Sequence, residues 1–256
     1  MKNLLLLTCI ISAASTYGQL QKISYSDGSQ KLHGYAAKPV TSASSSPGVL
    51  VLPAWRGIDN HSKEVATDLS KLGYHAFVAD IYGEGNYPAG TKEAGEKSGY
   101  YKTNFIEYQR RIQIALQQLL KSGADANNIV VIGYCFGGTG ALEAARGGLP
   151  VKAAVTFHGG LGKDPKRQNN MISPKILVLH GADDPFVPEA DIKSFQQEMR
   201  DGKADWQMVY YADAVHSFTE EEAGTDKSKG AAYNEKADQR SWEHMKLFLQ
   251  EVFAAK

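Results

Sequence analysis

The chain has 256 residues, of which 43% are hydrophobic and 22% are charged. This balance is typical of a globular protein and excludes an intrinsically disordered chain. The 28 basic residues equal the 28 acidic residues in number, so the whole chain has no net attraction to nucleic acid or to an anionic membrane. Two cysteines are too few for a disulfide-stapled scaffold.

The first 18 residues have the pattern of a secretory signal peptide. Lys2 provides the positive start, Leu4–Ala14 is an apolar stretch, and small residues follow it. The stretch is shorter than the ~20 residues that a membrane-spanning helix needs. A buried first helix and a lipid anchor through Cys9 are the alternatives.

We expect cleavage near Gly18 or Gln19 and export to the periplasm or the exterior. Cleavage would leave Cys135 as the single thiol of the mature chain. An intramolecular disulfide would then be impossible, so the thiol must be either buried or used.

Apolar runs bounded by turn residues alternate with helical patterns along the mature chain. Strands are predicted at Leu32–Ala37, Gly48–Pro53, Tyr74–Asp80, Asn128–Gly133, Val151–His158, Lys175–Gly181 and Trp206–Tyr211. Helices are predicted at Ser62–Leu72, Phe105–Leu120, Gly138–Arg146, Pro188–Arg200 and 231–254. This alternation predicts an α/β fold with a mainly parallel central sheet and helices on both faces. No linker divides the chain, so residues 19–256 are predicted to form a single domain.

Two segments, Tyr82–Asn104 and Thr219–Gly230, lack apolar periodicity. Both follow predicted strands and should lie at the carboxyl edge of the sheet, where open α/β sheets bind ligands. They are expected to select the substrate. Tyr100 and Tyr101 are candidate substrate-binding residues of this rim, although simple packing is the alternative for loop tyrosines.

A sharp turn is predicted where a buried strand meets a helix, at Gly133-Tyr134-Cys135-Phe136-Gly137. The pattern is that of a nucleophile elbow, with cysteine where serine is usual. Glycines suit the flanking positions because neighbouring backbone crowds them. The backbone N–H of Phe136 would point to a developing oxyanion. The alternative is a buried structural cysteine beside a glycine-rich turn.

A cysteine nucleophile needs a base, and in this architecture the chain order is nucleophile, acid, histidine. His216 follows the last predicted strand and precedes the last helix, which is the position of the base. His158 and His180 precede the acidic candidates and so have the wrong order. His158 is expected to be a packing residue, and His244 is expected to be solvated within the last helix.

The acid is expected in the loop His180–Pro188, where two aspartates are adjacent. We choose Asp184, because the pattern H-G-x-x-D-x-x-V-P places the acid there. Asp183 is expected to form hydrogen bonds within the turn. Asp213 is a weaker rival that could instead shape the histidine loop.

The chain resembles the dienelactone hydrolase family, a branch of the α/β-hydrolases with a cysteine nucleophile. The matching pieces occur in order over most of residues 45–220: GVLVLPAWRG, LGYHAFVADIYGEG, GYCFGG, LHGADDPFVP and AVHSF. The resemblance implies an α/β-hydrolase fold and a triad of Cys135, His216 and Asp184. It also implies an oxyanion hole formed by the backbone N–H groups of Phe136 and Trp55.

The sequence departs from the family at two positions. Enzymes that act on dienelactone carry a glutamate at the position of Ala54, where it is thought to activate the thiol. They also carry an arginine soon after the histidine, whereas this chain has Glu220 there. Dienelactone itself is therefore not the expected substrate. Arg56 could bind an anionic group instead, or be an ordinary surface arginine.

These features together predict an enzyme that cleaves a small-molecule ester or lactone through a thioester acyl-enzyme. The mechanism requires no metal and no cofactor, and no metal-ligand spacing occurs in the sequence. The alternative is a non-catalytic ligand-binding protein on a hydrolase scaffold. A thiol redox sensor is a third possibility, but it would need a resolving cysteine.

Overall fold

A computed structural model describes residues 19–41 and 46–254 of the chain. The predicted signal peptide lies outside the described residues. The described strands are β1 Gln21–Asp27, β2 Gln30–Ala37, β3 Ser46–Leu52, β4 His75–Val78, β5 Ala124–Tyr134, β6 Ala153–Phe157, β7 Lys175–Gly181 and β8 Trp206–Tyr211. The described α-helices are α1 Asn60–Lys71, α2 Thr91–Thr103, α3 Phe105–Lys121, α4 Phe136–Arg146, α5 Glu189–Asp201 and α6 Glu235–Ala254.

The eight strands form one sheet in the order β1-β2-β4-β3-β5-β6-β7-β8. The pairs β1–β2 and β2–β4 are antiparallel, and every other pair is parallel. Because β3 and β5 lie in the middle of the sheet, the segments that leave their carboxyl ends meet at the centre of one edge.

Helices cover both faces of the sheet, as alternation along the central strands requires. Leu50 and Leu52 of β3 pack into the core on the side of α3, α4 and α5. Val49 and Val51 of the same strand pack on the side of α1 and α6. All four side chains are fully buried. The predicted α/β fold with a mainly parallel sheet is confirmed.

The segment Tyr82–Asn104, which lacks apolar periodicity and for which no helix was predicted, contains helix α2. The buried face of α2 has helical spacing but is built from Ala94, Ser98 and Tyr101. Two of these side chains are small or polar, so the stripe carries little of the hydrophobic periodicity on which the prediction relied.

Strand β1 was also missed, and the final helix was placed too early. In β1 only alternate residues are partly buried, among them Ile23 and Tyr25, and the strand lies at the edge of the sheet. An edge strand with one solvated face has few apolar residues to signal it. Helix α6 begins at Glu235 rather than at 231, because Ala231 forms a β-bridge with His216.

No helix within residues 19–41 and 46–254 is long and apolar enough to cross a membrane.

The central position of β3 predicts a large stability cost for a cavity there. Replacing Leu50, which is fully buried, by alanine should lower the free energy of unfolding by about 2–5 kcal/mol. Leu247→Ala is the matched control, because that leucine of α6 is 61% exposed. Its effect should stay within about 0.5 kcal/mol. Urea unfolding measures both, and equal effects would contradict the described packing.

Candidate active site

The turn between β5 and α4 places Cys135 at the carboxyl edge of the sheet. Cys135 has φ 52° and ψ −113°, a strained backbone conformation for a residue with a side chain. Its N–H donates to the carbonyl oxygen of Phe157 in the neighbouring strand, at 3.0 Å. The thiol is partly buried at the N-terminus of α4, where the helix dipole favours negative charge.

The two positions that flank the turn, Gly133 and Gly137, have no room for a side chain. A Cβ at Gly133 would overlap the carbonyl oxygen of Gly137. A Cβ at Gly137 would overlap the carbonyl oxygen of Leu52 in β3. The tight strand-to-helix turn therefore exists only because neither position carries a side chain, as the sequence analysis expected.

Three side chains that are far apart in the sequence meet above this turn. The Nε2 atom of His216 lies 3.0 Å from the Sγ atom of Cys135. The Nδ1 atom of His216 lies 2.8 Å from the Oδ2 atom of Asp184. The Asp184 side chain is fully buried, and its other oxygen accepts a hydrogen bond from the N–H of Phe186 at 2.9 Å.

The electrostatic environment of His216 favours its protonated form. Burial alone would disfavour an imidazolium, but the Coulombic interaction with Cys135 and the hydrogen bonds to Asp184 and Cys135 outweigh it. Together they raise the pKa of His216 to about 10. The arrangement can therefore hold a proton on the ring that faces the sulfur.

The two backbone N–H groups expected to bind an oxyanion belong to residues fixed by tyrosines. Phe136 is the first residue of α4, and its carbonyl oxygen accepts from the Tyr108 hydroxyl at 3.0 Å. Trp55 follows β3, and its carbonyl oxygen accepts from the Tyr82 hydroxyl at 2.7 Å. Both tyrosine rings also stack on the Phe136 ring. Neither tyrosine was identified from the sequence, because tyrosines in helices and loops have no distinctive spacing.

His158, which was expected to be a packing residue, also forms a hydrogen bond with the turn. Its Nδ1 atom accepts a hydrogen bond from the Cys135 N–H at 3.2 Å. Burial lowers the pKa of His158 far below its ordinary value, so the ring is neutral. Since Nδ1 is the acceptor, Nε2 carries the proton and donates to the Thr219 hydroxyl at 2.9 Å. Its position at the end of β6, beside β5, was the signal available in the sequence.

The rejected candidates lie elsewhere. Asp183 is exposed, and the exposed Asp213 pairs with Lys227. The buried His180 ring packs against Tyr210. His244 is half-buried and bonded to the Tyr211 hydroxyl at 2.8 Å, so its expected solvation was wrong.

Of the three rim candidates, Tyr100 and Tyr101 line a common cavity, and Arg56 is not among its lining residues. Arg56 is exposed, donates to the Thr91 hydroxyl at 3.0 Å and lies over the Trp55 ring. Tyr100 is half-exposed and bonds to Glu107, whereas Tyr101 is buried against Phe136. Both tyrosines line a cavity of about 400 Å³ together with Tyr82 and Arg111.

The two departures from the family pattern, Ala54 and Glu220, lie in different parts of the structure. Ala54 is buried beside the Trp55 loop and offers no ionisable group there. The Glu220 side chain lines a separate cavity between α1 and α6. Among the described residues, no group of three or more histidine, cysteine, aspartate or glutamate side chains is arranged to hold a metal ion.

Comparison with known sequences identifies the family. A profile of the dienelactone hydrolase family matches residues 32–253. A Bradyrhizobium protein named as a probable 2-oxo-3-(5-oxofuran-2-ylidene)propanoate lactonase is 27% identical over 84% of this chain and 88% of its own length. A Yersinia pestis protein named as a carboxymethylenebutenolidase is 24% identical over 84% of this chain and 82% of its own.

Solved structures agree with this assignment. A dienelactone hydrolase-like promiscuous phosphotriesterase from metagenomic libraries has a TM-score of 0.86 and 36% identity. The match covers 91% of this chain and 98% of that one. A dienelactone hydrolase-type structure from Klebsiella pneumoniae, at 20% identity and a TM-score of 0.69, shares the fold. This chain belongs to the dienelactone hydrolase family of α/β-hydrolases and is an ester or lactone hydrolase.

Proposed function

We propose that the chain hydrolyses a small-molecule ester or lactone with Cys135 as the nucleophile. His216 acts as the general base and acid, and Asp184 orients the imidazole and stabilises its protonated form. The observation that carries this proposal is the continuous chain of contacts from the sulfur through the ring to the carboxylate, at 3.0 Å and 2.8 Å.

In the resting enzyme the proposed state of His216 is an imidazolium that faces the Cys135 sulfur. The raised pKa of His216, about 10, supports this protonation at neutral pH. The family's glutamate is replaced by Ala54, so activation of the thiol relies on His216 and Asp184. The N-terminus of α4 adds a favourable dipole at the sulfur.

Acylation forms the Cys135–carbon bond and moves the carbonyl electron pair to oxygen. The backbone N–H groups of Phe136 and Trp55 donate to this oxyanion, and the tyrosine hydroxyls bond to the carbonyl oxygens of the same two residues. The tetrahedral intermediate collapses to a thioester, and the leaving alkoxide takes the proton from His216. Water then attacks the thioester with His216 as base, which breaks the carbon–sulfur bond and releases the acid.

Small lactones and esters are the proposed substrates. One relative is named as a lactonase, and a protein of known structure with 36% identity is described as a promiscuous phosphotriesterase. Dienelactone itself remains disfavoured, since neither Ala54 nor Glu220 supplies the group found in enzymes acting on it. Arg56, Tyr100 and Tyr101 are proposed to contact the substrate at the rim. We also propose that residues 1–18 direct export to the periplasm or the exterior.

The pair of adjacent aspartates allows a matched test of the triad. Asp184→Asn should lower kcat/KM for p-nitrophenyl esters and lactones on the order of 10³- to 10⁴-fold, because the imidazolium loses its charged partner. Asp183→Asn should leave kcat/KM within about twofold, since this side chain is exposed. Loss of activity in the Asp183 variant alone would show that Asp184 is not the acid of the triad.

The cysteine is tested on the same substrates. Cys135→Ala should abolish turnover, and Cys135→Ser should retain a weak remnant at most, because a hydroxyl is far less ionised than a thiol. Rapid quenching and mass spectrometry of the wild type should detect an acyl group on Cys135. Equal turnover by the wild type and Cys135→Ala would show that Cys135 is not the nucleophile. Binding of a ligand without turnover by any form would favour the non-catalytic alternative.

Arg56 is tested through the charge of the substrate. Arg56→Gln should lower kcat/KM about three- to tenfold for an ester that carries a carboxylate, as expected for loss of a partly screened charge contact. It should change kcat/KM little for a neutral ester of the same size. Arg240→Gln is the control, because Arg240 is an exposed arginine of α6. Parallel losses on the charged and neutral esters would reject a role for Arg56 in binding anions.

A further inference from the structure

A second cavity, of about 420 Å³, lies between α1 and α6, beneath the segment that follows His216. Neither Cys135, Asp184 nor His216 is among its lining residues. Its walls carry seven acidic side chains, and no lysine or arginine is among the described residues that line it: Asp59, Glu64, Asp68, Glu220, Glu221, Glu222 and Asp238. We call this space the acidic cavity.

Some of these carboxylates have partners, and others do not. Asp59 caps α1, Asp68 pairs with Lys71 on the same helix, and Asp238 accepts from the Tyr233 hydroxyl. In the described part of the chain, Glu64 and Glu222 form no ion pair. The acidic cavity therefore carries negative charge that the protein itself does not neutralise.

Two buried polar atoms at the acidic cavity also lack hydrogen-bond partners. One is the Oε1 atom of Glu220, and the other is the Nε2 atom of His61. Buried polar groups are nearly always paired, so each such atom calls for a partner from outside the chain. Both residues line the acidic cavity, which is the space from which a ligand could supply that partner.

Aromatic rings form another part of the wall. Tyr134 and Phe157 lie at the ends of β5 and β6, and Trp242 lies on α6. Aromatic faces combined with carboxylates suit organic ammonium ions, which gain both cation–π and charge contacts. A volume of about 420 Å³ is in the range of small-molecule sites. A metal ion fits less well, since the described residues hold no group arranged as metal ligands.

Two of the acidic groups, Glu220 and Asp238, hold protons more tightly than usual. Burial, together with the nearby charge of Asp59 and Glu222, raises the pKa of Glu220 to about 7, although His216 and Ser217 act in the opposite direction. Burial likewise raises the pKa of Asp238 to about 6. Ionising these groups thus opposes folding unless a cation enters.

The raised pKa of Glu220 predicts that neutralising this side chain stabilises the protein, and that the gain in stability depends on pH. A carboxyl with a folded pKa of about 7 and an ordinary value of 4.5 binds more protons when folded, so its contribution to stability is lost as pH rises between these values. Glu220→Gln should therefore raise Tm by a few degrees at a pH of about 8 and by much less near pH 4.5. Glu243→Gln, on an exposed part of α6, is the control. An equal rise in Tm at both pH values would contradict the raised pKa of Glu220.

We propose that the acidic cavity is a binding site for an organic ammonium cation, with the carboxylates of Glu64, Glu220 and Glu222 as its anionic partners. These three residues belong to two walls: Glu64 to α1, and the other two to the segment after His216. Asp238 adds a carboxylate from α6. Negative charge on several walls favours a molecule with two ammonium groups over one with a single charge.

Isothermal titration calorimetry of the purified protein with 1,4-diaminobutane tests the proposal, at low salt and a pH of about 8. The diamine should bind saturably, and 1,4-butanediol, its neutral analogue, should not. The double variant Glu64→Gln/Glu222→Gln should bind the diamine at least tenfold more weakly, whereas Glu243→Gln should bind it as the wild type does. Cys135→Ala should also bind normally, so the result is independent of the proposed hydrolase mechanism.

Several outcomes would overturn the proposal. One is the absence of saturable heat up to about 10 mM diamine, because a site with a Kd of about 1 mM would be nearly saturated at that concentration. Another is equal binding of the diol, which would indicate an apolar rather than a cation site. A third is displacement of the diamine by a lower concentration of Mg²⁺ or Ca²⁺, which would make the acidic cavity a metal site.

Discussion

The close approach of three backbone segments at the end of β5 is the constraint on which the site depends. Gly133 and Gly137 allow β5 to turn directly into α4 while both stay in contact with β3. Cys135 is thereby held at φ 52°, with its sulfur at the edge of the sheet rather than inside it. The strain is maintained because β5 is hydrogen-bonded on both sides, to β3 and to β6.

The two histidines beside this turn are adjacent but opposite in charge state. Their ring centroids are 5.3 Å apart. His216 has a buried carboxylate on one side and the sulfur on the other, and its pKa is raised to about 10. His158 has only neutral hydrogen-bond partners, so burial determines its neutral state. One ring can thus carry the proton of the proposed chemistry, while the other accepts a hydrogen bond from the backbone N–H of Cys135.

Glu220 is one of the two departures from the family pattern, and its side chain lines a second cavity. The resemblance places an arginine near this position in enzymes acting on dienelactone, where it would bind a substrate carboxylate. Here the acidic side chain lines the space between α1 and α6, among further carboxylates. The same segment, Thr219–Glu222, also contacts His158 through Thr219. This segment therefore links the acidic cavity to His158, whose ring accepts a hydrogen bond from the Cys135 N–H.

The sequence by itself determined the alternation of strands and helices, the elbow and the chain order of its partners, because these depend on local hydrophobic runs and on glycines at fixed spacing. Helix α2 escaped prediction because its buried face is made of small and polar residues. Only the tertiary structure decided that Asp184 faces His216 while Asp183 is exposed, and that Glu220 lines a second cavity, to which Cys135 does not contribute. The direction of a loop side chain follows from what packs around it, and those neighbours come from distant parts of the chain.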